Sequence, residues 1–270
     1  MPQGHRSGGG FGGEGKAWAV RSFDELVSEA LAADVSGWGF GFLEGRATEE
    51  RPPWGYARLL ARRLGRVSSA LDLDTGGGEV VNEAPVLPPL MAVTESWPAN
   101  FRHARKLLEP RGVNVVKTAP GAVLPFPDGR FALVSSRHPV RPDWVQIARV
   151  LEPGGRYFAQ HVGPASAFEL IERLLGPLPA ERRLRDAQTE AAAARAAGLL
   201  ITDLRSACCR MEFRDVGAVV WVLRKCVWWV PDFTVERYHA ALIELDAQLR
   251  AGEPLIAHSR RHLIEAQCPR

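Results

Sequence analysis

From residue 69 onward, the sequence alternates short apolar runs that end in glycine or acidic turns with stretches whose apolar residues have helical spacing. The strand-like runs cover residues 70–73, 89–93, 113–116, 131–134 and 156–160. The helical stretches between them cover residues 101–108, 143–151 and 167–175. Strands that alternate with helices are typical of a doubly wound, mostly parallel sheet with helices on both faces. The alternation therefore predicts an α/β fold whose ligands bind at the carboxyl ends of the strands.

Segments on both sides of this core complete the predicted fold. Two amphipathic helices, over 22–31 and 53–65, precede the first strand, and we assign residues 17–66 to a helical lid. The later elements are a helix over 186–197, a strand over 199–205, helices over 216–230 and 234–249, and a closing strand over 255–265. The prediction is a Rossmann-like, seven-stranded sheet in a main domain of residues 67–270, with a helical cap inserted at about 216–250. The glycine-rich residues 1–16 lack the apolar core of a signal peptide and are expected to form a flexible tail.

Composition limits the class of protein. The chain has 270 residues, of which 46% are hydrophobic and 24% are charged, with a net charge of +3, as in ordinary globular proteins. It has no apolar run long enough for a membrane span, and its basic pairs are short and scattered, so membrane and nucleic-acid binding are disfavoured. The four cysteines form neither a C-x-x-C pair nor a Cys/His cluster. We therefore predict a reduced, cytoplasmic monomer or homodimer without a metal ion.

A glycine-rich turn follows the first strand of the predicted sheet. Residues 71–79 read LDLDTGGGE, and glycines after a strand let the backbone approach a ligand closely. A dinucleotide-binding loop would need glycine at position 81, which is valine, and a P-loop would need Gly-Lys-Ser/Thr, which is absent. Phosphate binding at this turn is therefore disfavoured.

With these residues the sequence resembles the class I S-adenosylmethionine-dependent methyltransferases, especially those that act on small molecules. Their first motif reads approximately Asp-hydrophobic-Gly-x-Gly-x-Gly; it falls on Asp72, Gly76 and Gly78, and Asp74 stands where the first glycine would be. The resemblance implies S-adenosylmethionine as cofactor and S-adenosylhomocysteine as product. The carboxylate of Asp74 could meet the ammonium group of the cofactor or form hydrogen bonds within the turn.

Later segments continue the resemblance in the same order. Glu95, at the end of the second predicted strand, corresponds to the acidic residue that holds the ribose hydroxyls in this family. Residues 147–156, IARVLEPGGR, match the family's turn into the fifth strand, where glycines end a helix and form a tight turn.

The predicted adenine site departs from the family. Residues 120–131, PGAVLPFPDGRF, resemble the segment that lines the adenine ring. Two aspartates of that segment are replaced by Pro120 and Ala132, so the resemblance implies that adenine contacts the backbone of Gly121 and Ala122. The implied cofactor-binding residues are Asp72, Asp74, Thr75, Gly76, Gly77, Gly78, Glu95, Ser96, Gly121, Ala122, Val123 and Ser136.

Candidate catalytic residues follow the fourth and fifth strands, where the active site of the family opens. Methyl transfer is an in-line displacement that requires alignment, and a histidine can deprotonate an amine or phenol nucleophile. His138 and His161 are the candidates, with His138 favoured because its loop faces the expected position of the methyl group. Arg137 could hold an anionic substrate or cap a carbonyl dipole within the fold. A structural role is the alternative for each histidine.

Aromatic and polar side chains near the same edge are candidates for substrate contact. We assign Trp54, Tyr56 and Gln160 to the substrate site, because flat rings recognise flat or cationic molecules by stacking. The other aromatic residues that could surround a substrate are Trp38, Trp221, Trp228 and Trp229. Core packing is the alternative, and it is favoured for the tryptophans near position 228.

The sequence therefore predicts a methyltransferase that moves a methyl group to a nitrogen or oxygen nucleophile of a small molecule. One alternative is an RNA methyltransferase, which would need a contiguous basic face with stacking aromatic residues. Another is a cofactor-binding protein without transferase activity, which the changed positions Pro120 and Ala132 keep open.

Overall fold

A computed structural model describes residues 21–35 and 39–270, so the predicted tail and Trp38 lie outside the described residues. Within this part the strands are β1 Ala47–Glu49, β2 Ser69–Leu73, β3 Leu90–Glu95, β4 Asn114–Lys117, β5 Phe131–Arg137, β6 Leu151–Val162, β7 Leu200–Phe213 and β8 Leu255–Gln267. The helices are α1 Phe23–Ala32, α2 Tyr56–Leu64, α3 Glu79–Asn82, α4 Pro98–Leu108, α5 Trp144–Val150, α6 Phe168–Leu175, α7 Ala187–Ala196, α8 Val216–Lys225 and α9 His239–Arg250.

All eight strands form one sheet in the order β1-β7-β8-β6-β5-β2-β3-β4. Strands β2 to β6 pair with one another in parallel. Strand β8 lies between β6 and β7 and runs antiparallel to both. The prediction of a mostly parallel α/β sheet is confirmed. The predicted count of seven strands was wrong by one, because β1 adds an antiparallel edge beside β7. A three-residue strand with one apolar side chain has too short a pattern to be recognised in the sequence.

The two predicted helices before the last strand are present but shorter than expected. The predicted helix over 216–230 ends at Lys225, and the next helix begins at His239 rather than after Thr234. The Thr234 hydroxyl does accept the N–H of Arg237, but it closes a local turn and not the first turn of α9. Apolar content alone does not distinguish a buried helix from the buried turns that follow it.

Three apolar clusters surround the sheet. Helices α2, α3 and α4 pack on one face, over residues such as Val93 and Phe158, and α5 and α7 pack on the other. A third cluster joins α1, α6, α8 and α9 to the end of β7 and the start of β8, and it contains the buried Trp221. Loops follow the carboxyl ends of β2, β3 and β5, and the first residue of α2, Tyr56, reaches the end of β5 through its hydroxyl.

No helix in residues 21–35 and 39–270 combines the length and the apolar character that crossing a lipid bilayer requires.

Candidate active site at the carboxyl ends of the parallel strands

The glycine-rich turn leaves β2 through three residues in the left-handed region. Asp74, Gly76 and Gly78 have φ values of 52°, 65° and 87°. Asp74 stands where the family motif has its first glycine, and aspartate tolerates the left-handed conformation better than most residues. At Gly78 a Cβ atom would lie 2.7 Å from Cδ1 of Leu108, so glycine is needed for α4 to pack against the turn.

Glu95, at the end of β3, holds this turn in place. One carboxylate oxygen accepts the N–H of Gly76 at 2.8 Å, and the other accepts the N–H groups of Ser96 and Trp97 at 2.9 and 2.7 Å. Burial raises the pKa of Glu95, although these backbone hydrogen bonds oppose the change. The side chain therefore connects the glycine turn to the start of α4, and the oxygen beside Gly76 keeps capacity for a further donor.

Two more carboxylates lie beside the turn. The Ser135 hydroxyl donates a 2.5 Å hydrogen bond to Asp72, whose pKa burial nevertheless raises to about 6. Burial also raises the pKa of Asp74. Asp72, Asp74 and Glu95 thus concentrate negative charge at one point, and each carboxylate is less stable there than in water. A bound cation would offset that cost.

The other cofactor candidates divide into loop residues and strand residues. Thr75 donates its N–H to the carbonyl oxygen of Thr94 at 2.9 Å, which joins the turn to β3. Ser136 is buried, and its hydroxyl donates to the carbonyl oxygen of Leu73, so it fastens β5 to β2. Gly77 lies within the turn, between the two left-handed glycines.

The loop after β4 carries the remaining candidates. Gly121 has a φ of 71° with open space where a Cβ would be, and Val123 is 71% exposed. The guanidinium of Arg149 on α5 donates to the carbonyl oxygens of Leu124 and Phe126, at 2.8 Å each, and so anchors the next part of the loop. Gly121, Ala122 and Val123 are exposed in this loop, and the N–H of Ala122 donates to the carbonyl oxygen of Ala119 at 3.1 Å.

Three of the predicted residues form one hydrogen-bonded chain. The indole N–H of Trp54 donates to Oε1 of Gln160 at 2.7 Å, and the amide nitrogen of Gln160 lies 2.9 Å from Nε2 of His138. Because the Gln160 oxygen accepts the hydrogen bond from Trp54, the amide nitrogen donates to Nε2 of His138, which assigns the imidazole proton to Nδ1. Burial lowers the pKa of His138, and the nearby charges of Arg261 and Arg137 lower it further, so the ring is neutral at physiological pH.

Tyr56 lies beside this chain. Its ring stacks on Phe158 with a centroid separation of 5.1 Å, and its hydroxyl donates to the carbonyl oxygen of Ser136 at 3.0 Å. Tyr56 and Trp54 are each only 6% exposed, so the start of α2 and Trp54, two residues before it, pack as part of the core. The lid role assigned to this segment stays a prediction. Arg137 ends β5 with an exposed side chain.

His161 lies apart from these residues, on the opposite face of the sheet from Gln160. Its Nδ1 is hydrogen-bonded to Glu190 on α7, and its Nε2 lies 2.9 Å from the Tyr157 hydroxyl. Glu190 also lies 2.8 Å from Nε2 of His262, the residue opposite His161 on β8. Glu190 and His262 could not be recognised in the sequence, because neither follows a strand end or belongs to a motif and both are distant from His161 in the chain.

Comparison with known proteins identifies the fold. No protein-family model matches the sequence, and neither does any curated protein. Among solved structures, a candidate methyltransferase from Bacillus halodurans C-125 is similar with a TM-score of 0.55 and 18% identity, over 78% of this chain and 98% of that one. The YcgJ protein of Bacillus subtilis has a TM-score of 0.57 and 16% identity, over 80% of this chain and 98% of that one. Together with the strand order and the glycine turn, these similarities show that the chain has the Rossmann-like fold of the class I methyltransferases.

Proposed function

We propose that this protein is an S-adenosylmethionine-dependent methyltransferase that acts on a nitrogen or oxygen nucleophile of a small molecule. The observation that carries the proposal is the set of three carboxylates, Asp72, Asp74 and Glu95, around the glycine turn. S-adenosylmethionine has a sulfonium and an ammonium group, which this negative charge would attract. The pyrophosphate of a dinucleotide would be repelled by the same carboxylates.

The residues at the turn fit the parts of this cofactor. The oxygen of Glu95 that accepts the Gly76 N–H can accept a ribose hydroxyl as well. The open space at Gly121 leaves room for a flat ring against the backbone of the loop after β4, as expected for adenine. Asp74, which replaces a glycine of the family motif, would supply a carboxylate for the ammonium group.

When bound, S-adenosylmethionine supplies an electrophilic methyl carbon, and the protein has to align a nucleophile with it. His138 is held as a neutral imidazole, the form that a general base requires. Its Nε2 lone pair accepts from Gln160, so a substrate proton donor would replace that contact. Trp54, Gln160 and Tyr56 would form the wall against which the substrate packs, and Arg137 could hold an anionic group.

The other candidate base, His161, is not assigned to this step. Both of its ring nitrogens are hydrogen-bonded within a buried cluster, to Glu190 and to Tyr157. A substrate that transfers a proton to His161 would therefore have to replace one of these two hydrogen bonds, on the face of the sheet opposite to Gln160.

The second candidate function is that of a cofactor-binding protein without transferase activity. The engaged Nε2 of His138 favours it, because the best-placed base then has no free lone pair. The prediction of a cytoplasmic protein with a small-molecule substrate belongs to the transferase proposal and is tested with it.

Calorimetric titration of the full chain with S-adenosylmethionine and S-adenosylhomocysteine, with NAD as control, tests the cofactor. We expect micromolar binding of at least one sulfur ligand and none of NAD. Absence of binding by both sulfur ligands would overturn the proposal. Release of S-adenosylhomocysteine in the presence of a panel of amines, phenols, carboxylates and short RNAs would then separate a small-molecule enzyme from an RNA methyltransferase, and no release would favour the non-catalytic alternative.

A further inference from the structure

A cluster of two histidines and one glutamate lies between the sheet and α7. His161 and His262 are directly opposite each other on β6 and β8, and Glu190 of α7 lies over them. One potential ligand atom from each side chain lies within 4.8 Å of the other two. The side chains of the two histidines are 2% and 1% exposed, and that of Glu190 is 16% exposed.

We propose that His161, Glu190 and His262 bind a divalent transition-metal ion of the Zn²⁺ class. Two imidazole nitrogens and one carboxylate oxygen are a donor set that suits Zn²⁺, Co²⁺ and Ni²⁺, whereas Mg²⁺ and Ca²⁺ prefer oxygen donors alone. Three protein ligands would leave a further coordination position for water or another small ligand.

The surroundings of both imidazole rings permit ligation. Nδ1 of His262 is buried without a partner, so the ring proton can reside there and leave the Nε2 lone pair for the metal. In His161 the proton can move to Nε2, because the Tyr157 oxygen beside it can accept a hydrogen bond as well as donate one. A second partner that fixes the ring of a ligating histidine in this way is a common feature of metal sites.

The charges at the cluster also favour a cation. Glu190 lies against Nδ1 of His161 and 2.8 Å from Nε2 of His262, so its carboxylate would supply the negative charge of the site. Its partial exposure provides a route from solvent. Arg185, in the loop before α7, contributes an opposing positive charge at His161. The affinity should therefore increase when Arg185 is neutralised.

Metal uptake by the full chain tests the proposal. After chelator treatment and dialysis, the protein is titrated with Zn²⁺ in competition with a chromophoric chelator, and with Co²⁺ followed by visible absorption. We expect a single site for each of these ions and no comparable binding of Mg²⁺. Alkylation of the free cysteines before titration, which include the exposed Cys208, should leave this site unchanged. Failure of the wild-type protein to take up Zn²⁺ and Co²⁺ would overturn the proposal.

Matched variants locate the site. His262→Gln and Glu190→Gln should each weaken Zn²⁺ binding at least about tenfold, and Tyr157→Phe should weaken it by about tenfold because it removes only the partner of His161. His258→Gln is the control, because His258 lies on β8 with His262 but is hydrogen-bonded to Glu169 of α6, outside the cluster. Arg185→Gln should strengthen binding. If circular dichroism shows that a variant of His262 or Glu190 is unfolded, Tyr157→Phe and Arg185→Gln still test the metal site. Unchanged Zn²⁺ affinity in both of these variants would refute the proposal.

Discussion

The indole N–H of Trp54 donates a 2.7 Å hydrogen bond to Oε1 of Gln160, a residue 106 positions later in the chain. This bond connects the segment before α2 to the carboxyl end of β6 and fixes the orientation of the Gln160 amide. Through that amide it also determines which nitrogen of His138 carries the proton. A single buried contact therefore sets the hydrogen-bonding state of the favoured catalytic residue.

Trp54→Phe should destabilise the protein by about 1 to 3 kcal/mol, because the Gln160 oxygen would lose its donor while it is still buried. Urea unfolding followed by circular dichroism measures the change. Trp97→Phe is the control, since Trp97 is 66% exposed and should tolerate the substitution. Equal free energies of unfolding for the two variants would show that the bond to Gln160 contributes no net stability.

Glu95→Gln should weaken S-adenosylmethionine binding ten- to about a hundredfold, which corresponds to about 1 to 3 kcal/mol. The substitution removes the negative charge and places an amide NH₂ beside backbone N–H groups that now meet a carboxylate. Calorimetric titration measures the affinity, and a thermal melt separates lost binding from lost folding. Glu79→Gln is the control, because its side chain follows the same turn but is 48% exposed. Unaltered affinity in Glu95→Gln would remove Glu95 from the cofactor site.

Asp72→Asn should make the free energy of unfolding less dependent on pH between about 4 and 6. The pKa of Asp72 is raised from the ordinary aspartate value of 3.8 to about 6 in the folded protein, so the folded state favours the protonated form. The stability from this group is complete below the lower value and is lost as the pH rises through the higher one. The lost part is about 3 kcal/mol, since one pKa unit corresponds to about 1.4 kcal/mol.

Asparagine does not ionise, so the variant does not lose stability as the pH rises. It should be more stable than wild type at pH 7 and about equal to it at pH 4. Denaturant titrations at several pH values make the comparison. Asp128→Asn, at a side chain that is 80% exposed, is the control and should keep the pH dependence of wild type. An Asp72→Asn curve parallel to that of wild type between pH 4 and 6 would contradict the raised pKa.

His138→Asn should lower the rate of methyl transfer to the substrate found by the panel screen at least about a hundredfold, in line with general base catalysis, and should leave cofactor affinity nearly unchanged. Asparagine is the suitable replacement because His138 has a φ of 60°, a conformation that asparagine tolerates and alanine does not. His103→Asn, at an exposed side chain on α4, is the control. Wild-type turnover in the His138 variant would assign that residue a structural role.

Those parts of the fold that depend on local pattern could be predicted from the sequence. The alternation of strands and helices indicated the parallel core, and the glycine turn with Glu95 indicated the edge where the cofactor residues gather. The edge strand β1 could not be predicted, because it is held by contacts distant in the chain: its pairing with residues 211–213 and the ion pair of Glu49 with Arg261. The end of α8 at Lys225 depends on tertiary packing and has no signal in the apolar run around it.

In the candidate site, too, residues could be chosen from local pattern, whereas the contacts between them depend on the tertiary fold. Gln160 and Trp54 were each chosen for residue type and position, but their hydrogen bond depends on how α2 packs on the sheet. Glu190 and His262 were missed because 29 residues separate His161 from Glu190 and 72 separate Glu190 from His262. The strand register places His161 opposite His262, and the packing of α7 on the sheet brings Glu190 to them. Contacts of the chosen residues with cofactor and substrate stay predictions.

The two edge strands of the sheet, β1 and β4, limit how two copies of this chain can associate. β1 has three residues and carries Thr48 and Glu49, whereas β4 has four and carries Asn114 and Lys117 at its ends. A second sheet that tried to extend either edge would gain few backbone hydrogen bonds and would have to accommodate polar side chains. If the protein forms the predicted homodimer, its helices and loops are therefore the surfaces that would make the contact.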